Sequence, residues 1–375
     1  MSYRDSATTL LSRAGLALDG AAPHDPRIVD ESIFRDVFIW GSLGLGDGYV
    51  AGKWECDALD VFFERVLGNG LEHRVGRGAD ILLGVRDSLM NLQSVRRALH
   101  VAEHHYDLGN ALYERMLGES MGYSSAYYGD GAADLTAAQY AKFDVICRKL
   151  GLTKGMKVLE IGCGWGTFAA YASRTYGVEV LGVTVSKEQL AYAKERCAGL
   201  PVSFYFGDYR TLPKELEGTF DRAVSIEMIE AVGARNLGAY MDVAQRMLTS
   251  TGEFLIQAIV GNGVPDVWLS TRIFPNGVLP SLRQLAASVE GRFRLTSYES
   301  FGGDYDKTLM AWDERFRAAW PEIRALTSPD GTVLYDERFY RMWRYYLLVC
   351  AGAFRVRKID VAHLVLSKVG IATVR

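Results

Sequence analysis

The spacing of apolar residues changes character along the chain. Between residues 30 and 85 they recur at helical intervals, first as Ile33, Phe34, Val37 and Phe38 and then as Leu59, Phe62, Phe63, Val66 and Leu67. That spacing predicts a small helical module, punctuated by turns at Gly41, Gly44, Gly46, Gly48 and Gly52. Residues 86–103 are mixed and basic, lack Pro and Gly, and read as a helical connector. From Lys157 short strand-like runs alternate with helical ones. Strands are expected at 157–161, 178–184, 202–206, 220–226 and 253–260, and helices at 167–176, 187–198 and 236–248. Such alternation is the mark of an α/β sheet, here of Rossmann-like class. Residues 261–282, with Pro265, Pro275, Gly277 and Pro280, read as a long loop or lid. Two aromatic helices are expected at 306–325 and 336–354. The resulting division is a helical domain over 1–85, a linker over 86–103 and an α/β domain over 104–375.

Composition narrows the function classes. With 375 residues, 49% hydrophobic, and a net charge of −3, the chain is neither disordered nor fibrous. Its five cysteines are scattered without a CxxC pair, which fits reduced thiols in a cytoplasm better than a disulfide framework or a zinc site. Six histidines without an HExxH give no sign of a metal site. Arg4, Asp5 and Arg13 interrupt the N-terminus, so no signal peptide is expected, and no apolar run is long enough to span a membrane. Charge is uneven: residues 1–60 hold ten acids against five bases, and residues 338–375 hold eight bases against Asp360 alone. A charge run of this kind is either a solvated face or a basic surface for anionic lipid headgroups. No recognised motif accompanies it that would make nucleic acid a partner.

The clearest chemical signal is Val158-Leu159-Glu160-Ile161-Gly162-Cys163-Gly164-Trp165-Gly166, a strand running into a glycine turn and then a helix. Glycines there let the backbone turn sharply and a ligand approach without Cβ atoms in the way. A dinucleotide site would want a third glycine at 167, which is Thr, and an acid ending the second strand, where Thr184 stands. Instead an acid, Glu160, precedes the first glycine by two residues. That arrangement resembles the S-adenosylmethionine (SAM) loop of class I methyltransferases. Cys163, between glycines, reads as a packing residue rather than a nucleophile, and Ser186 before Lys187-Glu188-Gln189 as a helix N-cap.

Longer runs carry a resemblance to one family. Gly162–Gly166, Gly182-Val183-Thr184-Val185-Ser186 with Gln189, Asp208-Tyr209-Arg210, His105-Tyr106-Asp107-Leu108-Gly109-Asn110, Ile273-Phe274-Pro275-Asn276-Gly277, Tyr305-Asp306-Lys307-Thr308-Leu309-Met310-Ala311-Trp312 and Cys350-Ala351-Gly352-Ala353-Phe354-Arg355 resemble the cyclopropane-fatty-acyl-phospholipid synthases. Gly41–Gly46 and Trp54-Glu55-Cys56-Asp57 resemble the extra domain of their longer bacterial members. The resemblance implies SAM-dependent addition of a methyl carbon across the cis double bond of an acyl chain in a phospholipid. It implies SAM contacts at Tyr123, Ser124, Gly162, Gly164, Thr184, Gln189, Asp208, Tyr209 and Arg210. It also implies a peripheral enzyme at the inner face of the membrane, on anionic lipids, with the N-terminal domain serving either bilayer docking or a homodimer. The same motif set occurs in plant alkaloid N-methyltransferases, so a soluble amine is a further substrate class.

The expected chemistry begins with an alkene attacking the sulfonium methyl, which builds positive charge that an aromatic face stabilises; Tyr305 is the residue expected to do so. Ring closure then needs a base. The resemblance implies a bicarbonate ion held by a Cys, a Glu, a His, an Ile and a Tyr, which map to Ser125, Glu230, Gln257, Ile259 and Tyr305. Two of the five depart from the family pattern, Ser125 and Gln257, and Ala231 stands where a His is common. Serine and glutamine still donate hydrogen bonds, but glutamine cannot become cationic. A methylated or unsaturated branch without ring closure is therefore an alternative product.

Overall fold

A computed structural model describes residues 2–76, 109–129, 131–262, 266–275 and 277–368. The expected connector at 86–103, positions 105–108 of the upstream motif, Pro265, Asn276 and the basic terminus at Arg375 lie outside the described residues.

The chain forms two compact units, and they do not follow the linear division expected from sequence. The first takes Met1–Asn91, Pro265–Pro275 and Tyr305–Ile359; the second takes Leu92–Val264, Asn276–Asp304 and Asp360–Arg375. The physical reason lies in the first unit's core. The N-terminal helices Ser32–Trp40, Ser42–Val50 and Leu59–Gly68 share it with the helix Glu337–Arg355 and with Val267–Arg272. Tyr345 meets Phe63 edge-on at 5.1 Å and Trp268 at 4.5 Å, and Phe62 packs on Trp54 at 5.1 Å. Gly352 is required by that contact, since a Cβ there would lie 2.7 Å from Phe63. Two short antiparallel strands, β1 (Arg27–Ile28) and β2 (Trp54–Glu55), tie the N-terminal loops together.

The uneven charge seen in the sequence is partly neutralised inside this unit. Arg355 reaches Asp60 (2.8 Å), Glu64 (3.2 Å) and Asp306 (2.9 Å), Arg341 reaches Glu55 (2.9 Å), and Lys358 pairs with Glu72. Basic residues of the last helical segment thus answer acids of the first seventy-odd residues.

The second unit is a seven-stranded sheet of β3 (Lys157–Ile161), β4 (Glu179–Thr184), β5 (Val202–Phe206), β6 (Phe220–Ile226), β7 (Leu248–Val260), β8 (Phe293–Ser300) and β9 (Asp360–Lys368), in the order β5-β4-β3-β6-β7-β9-β8. The first five run parallel, while β9 lies antiparallel between β7 and β8. Helices Leu135–Lys149, Thr167–Tyr176, Lys187–Arg196 and Leu237–Met247 accompany the parallel strands. The strand order reverses between β3 and β6, so the carboxyl ends of those strands open a crevice, the usual ligand position in such sheets.

Three expectations need correction. Gly44, Gly46 and Gly48 are not turns but lie within the helix Ser42–Val50, where the missing Cβ atoms of Gly46 and Gly48 let Trp268 and Ile33 pack against it. The stretch 261–282 is not all loop: Val267–Arg272 is a helix, started by the Asp266 side chain accepting from the Leu269 N–H at 2.9 Å. Strands β8 and β9, which complete the sheet, were not expected at all; β9 is buried nearly throughout.

Candidate active site

The glycine loop leaves β3 at the crevice. Gly162, Gly164 and Gly166 all adopt left-handed φ values (87°, 51° and 75°), and the Val183 carbonyl accepts the N–H groups of both Gly162 (3.0 Å) and Cys163 (2.9 Å). A Cβ on Gly162 would lie 2.7 Å from Met228, whereas one on Gly164 would meet nothing within 4 Å. Gly164 thus faces open space beside the start of the helix Thr167–Tyr176, where backbone N–H groups and the helix dipole favour a negatively charged ligand group. This cradle fits the amino-acid end of SAM. Cys163 is buried, which pushes its thiol well up and keeps it unreactive.

The neighbouring strand end is built by local chemistry. Ser186 caps the helix Lys187–Arg196 by accepting from the Gln189 N–H at 3.2 Å, and the Thr184 hydroxyl donates to Gln189 Oε1 at 3.2 Å. Asp208 and Arg210 hold each other through a bidentate pair at 2.8 and 2.6 Å, and Tyr209 sits edge-on to Tyr240 at 5.5 Å. Tyr123 meets Tyr113 edge-on at 5.3 Å.

Below Tyr123 and Ser124 lies a residue the sequence reading missed. Lys142, from the helix Leu135–Lys149, is fully buried and donates to Ser124 Oγ and Gln139 Oε1, both at 2.6 Å. Gln139 in turn donates to the carbonyls of Gly122 (3.1 Å) and Ser124 (2.9 Å). Burial pulls the Lys142 ammonium down to about 7, opposed by the charges of Glu227 and Glu160. One signal was available: Gln139 and Lys142 lie three apart, on one helix face.

Ser125 and Gln257 come together, but around a side chain that was not expected. Glu227 follows β6 with a left-handed φ of 50°, uncommon for a residue with a Cβ and typical of positions the surroundings over-determine. Its Oε1 accepts from the Ser125 N–H at 2.9 Å and from Gln257 Nε2 at 2.7 Å. Gln257 Nε2 also donates to the Ser125 carbonyl at 3.3 Å, and the Ser125 hydroxyl donates to the Ala126 carbonyl at 3.0 Å. The donors expected to hold an anion are therefore already engaged, two of them by a carboxylate. His363 of β9, also missed, touches Gln257 Oε1 at 2.9 Å.

Glu230 and Ile259 are direct partners: the Ile259 N–H donates to Glu230 Oε1 at 2.6 Å. Glu230 Oε2 is buried and, among the described residues, has no hydrogen-bond partner. Burial, and secondarily the Glu227 charge, raise this carboxyl to about 8. Tyr305 belongs to the first unit, where it is buried, stacked on Phe354 at 4.4 Å and edge-on to Trp312 at 6.1 Å.

With this geometry in place, the comparisons with known proteins are specific. The model of the mycolic acid cyclopropane synthetase family matches residues 93–364. The chain belongs to that family. It is 48% identical, over 96% of its length and 92% of the other chain, to the cyclopropane-fatty-acyl-phospholipid synthase of Escherichia coli K12. It is 31% identical, over 95% of its length and 86% of the other's, to the tuberculostearic acid methyltransferase of Mycobacterium tuberculosis. A solved mycolic acid cyclopropane synthase, complexed with SAH and CTAB, covers 72% of this chain and 98% of its own at 30% identity, with a TM-score of 0.64. As a member of the cyclopropane synthetases this chain is a SAM-dependent methyltransferase, and its parallel sheet and glycine cradle are those of that class.

Proposed function

We propose that this protein transfers the SAM methyl carbon to the cis double bond of unsaturated acyl chains in phospholipids, giving cyclopropane fatty acids. The observation that carries the reading is the 48% identity to the E. coli cyclopropane-fatty-acyl-phospholipid synthase, sustained along 96% of the chain. When bound, SAM supplies an electrophilic methyl group on a sulfonium sulfur. Gly162 and Gly164 supply the turn and clearance that seat it, and Thr184 and Gln189 place hydrogen-bonding groups at the neighbouring strand end. Gln139 anchors the backbone carbonyls of Gly122 and Ser124 and is itself held by Lys142, and so orients Tyr123.

The same reading makes the protein a peripheral one, working from the cytoplasmic side at an anionic bilayer surface, because the substrate chains are embedded there. Among the described residues no helix is long and apolar enough to cross a membrane. The test is incubation of the full chain with labelled SAM and dioleoyl phosphatidylglycerol vesicles, followed by mass spectrometry of the acyl chains. Product one CH2 heavier, with the double bond gone, is expected. Label retained only on a water-soluble amine would overturn the reading.

A further inference from the structure

The family resemblance supplies ring closure with a bicarbonate base, and the residues present here do not fit that ion. Every donor that Ser125 and Gln257 could turn toward an anion already has an acceptor. The Ser125 N–H and the Gln257 amide hold the Glu227 carboxylate, and the Ser125 hydroxyl holds the Ala126 carbonyl. A second anion at this corner would meet the charge of Glu227 without a free donor from Ser125 or Gln257 to offset it. The imidazole expected at 257 is absent from that position, and His363, on the next strand, points its Nε2 at Gln257 rather than at an open site. Lys142, a nearby cation, is engaged by Ser124 and Gln139.

A different acceptor is in place. Glu230 lies in the short turn Ile229–Ala231 directly after β6, and Met228, two residues before it, closes over Gly162 of the cofactor loop. The Ile259 N–H pins one carboxylate oxygen at 2.6 Å, which fixes the rotamer, and leaves Oε2 buried and without a partner among the described residues. A buried, oriented carboxylate oxygen without a partner among the described residues, on the segment that meets the methyl donor's loop through Met228, is what a general base requires.

We propose that in this protein Glu230 Oε2 is itself the base of ring closure, and that no bicarbonate takes part. This rests on the function proposed above. The alkene π pair forms a bond to the sulfonium methyl carbon while the carbon–sulfur bond breaks and its pair stays on sulfur. The neighbouring alkene carbon becomes cationic. A C–H bond of the added methyl then breaks, its electron pair closes the three-membered ring, and its proton passes to Glu230 Oε2 and later to solvent. The titratable groups facing Glu230 are Glu227, on the same segment, and the buried phenol of Tyr240. Activity is therefore expected to rise with pH as the carboxyl, held up to about 8, ionises.

The test uses the full chain, labelled SAM and dioleoyl phosphatidylglycerol vesicles in carbon-dioxide-free buffer, with and without millimolar bicarbonate. The rate is expected to change by less than about twofold on adding bicarbonate, and Glu230→Gln to lose about 10²–10⁴-fold in rate. Calorimetric binding of SAM to Glu230→Gln shows that the variant is folded, and Glu230→Asp is expected to recover part of the rate. Stimulation of about tenfold or more by bicarbonate, or a Glu230→Gln rate within about tenfold of the parent, overturns the proposal. Cyclopropane formed only with bicarbonate would sink this inference and leave the function standing. Absence of product in every arm, with SAM bound, would sink both.

Discussion

Gln257 on β7 and His363 on β9 are cross-strand partners in the antiparallel register, and their side chains meet at 2.9 Å. The direction of this hydrogen bond follows from its neighbours. Lys149 Nζ, itself paired with Glu299 at 2.7 Å, has only protons to offer and lies 2.8 Å from His363 Nδ1. His363 Nδ1 is thus the acceptor, Nε2–H donates to Gln257 Oε1, and the amide is left to donate to Glu227 and Ser125. The chain of bonds runs from the half-exposed Glu299 to the strained residue at the end of β6.

Burial, together with the charges of Lys149 and Lys142, holds the His363 imidazole neutral, well below its usual range. The unfolded chain takes up a proton there below about pH 6.5, and the folded chain does not. Folded stability is therefore expected to fall as the pH drops below about 6.5, by up to about 1.4 kcal/mol per pH unit from this group. His363→Gln keeps a donor for Gln257 and an acceptor for Lys149, so it should flatten that slope at small cost. His363→Leu removes the partner of Gln257 Oε1 and leaves Lys149 with Glu299 alone, and is expected to cost about 1–3 kcal/mol. Urea unfolding of the three proteins on either side of the transition checks this; equal pH slopes for parent and His363→Gln would refute it.

Gly162 and Gly164 separate folding from cofactor binding. Both have left-handed φ, so an alanine at either position is strained by about 1–2 kcal/mol. At 162 the new methyl would also run into Met228 at 2.7 Å, whereas at 164 it would meet no atom of the described residues within 4 Å. Gly162→Ala is expected to lower the melting temperature more than Gly164→Ala. Gly164→Ala is expected to weaken SAM binding out of proportion to its effect on stability, because its methyl enters the ligand's space. Differential scanning fluorimetry and SAM calorimetry on the pair distinguish the two effects.

The contrast between what could and could not be read in advance follows contact distance along the chain. The turn Gly162–Gly166, the cap at Ser186 and strands β3 to β6 depend on residues within a few positions of one another, and local pattern shows them. Glu227, Lys142 and His363 become meaningful only when distant segments meet: 125 with 227, 124 with 142, 257 with 363. Strand β9 could not be placed because it pairs with β7 across more than a hundred residues. The helix Glu337–Arg355 was legible as a helix, but nothing local announces that its aromatic face belongs with Trp54 and Phe63 rather than with the sheet that precedes it in sequence.

Lys142 joins the segment Gly122–Ser124 to the buried Glu160 and the half-buried Glu227 carboxylates. Replacing it by Met preserves bulk but removes both hydrogen bonds to Ser124 and Gln139 and takes from Glu160 and Glu227 the cation near each. Loss of about 2–4 kcal/mol in stability is expected. Because Gln139, which holds the Gly122 and Ser124 carbonyls, loses the partner that fixes it, the KM for SAM should rise more than kcat falls. Steady-state kinetics at varied SAM checks this; an unchanged KM beside a lowered kcat would place Lys142 in the chemistry instead.

The first unit predicts the outcome of truncation. Its N-terminal helices and the helix Glu337–Arg355 bury one another through Trp54, Phe62, Phe63 and Tyr345, and Arg355 answers Asp60, Glu64 and Asp306 together. A chain beginning at residue 104 would expose that aromatic face and leave Arg341 without Glu55. Such a fragment is expected to aggregate or to bind a hydrophobic dye, whereas a sequence-based division at this point would have it fold alone. The ionic part is separable: Arg355→Met in the full chain keeps the apolar contacts, leaves three carboxylates uncompensated, and should cost about 2 kcal/mol, tempered by the partial exposure of Glu64. High salt should narrow that difference by screening the acids from each other. A fragment 104–375 that unfolds cooperatively and binds SAM with parental affinity would show that the shared core is dispensable.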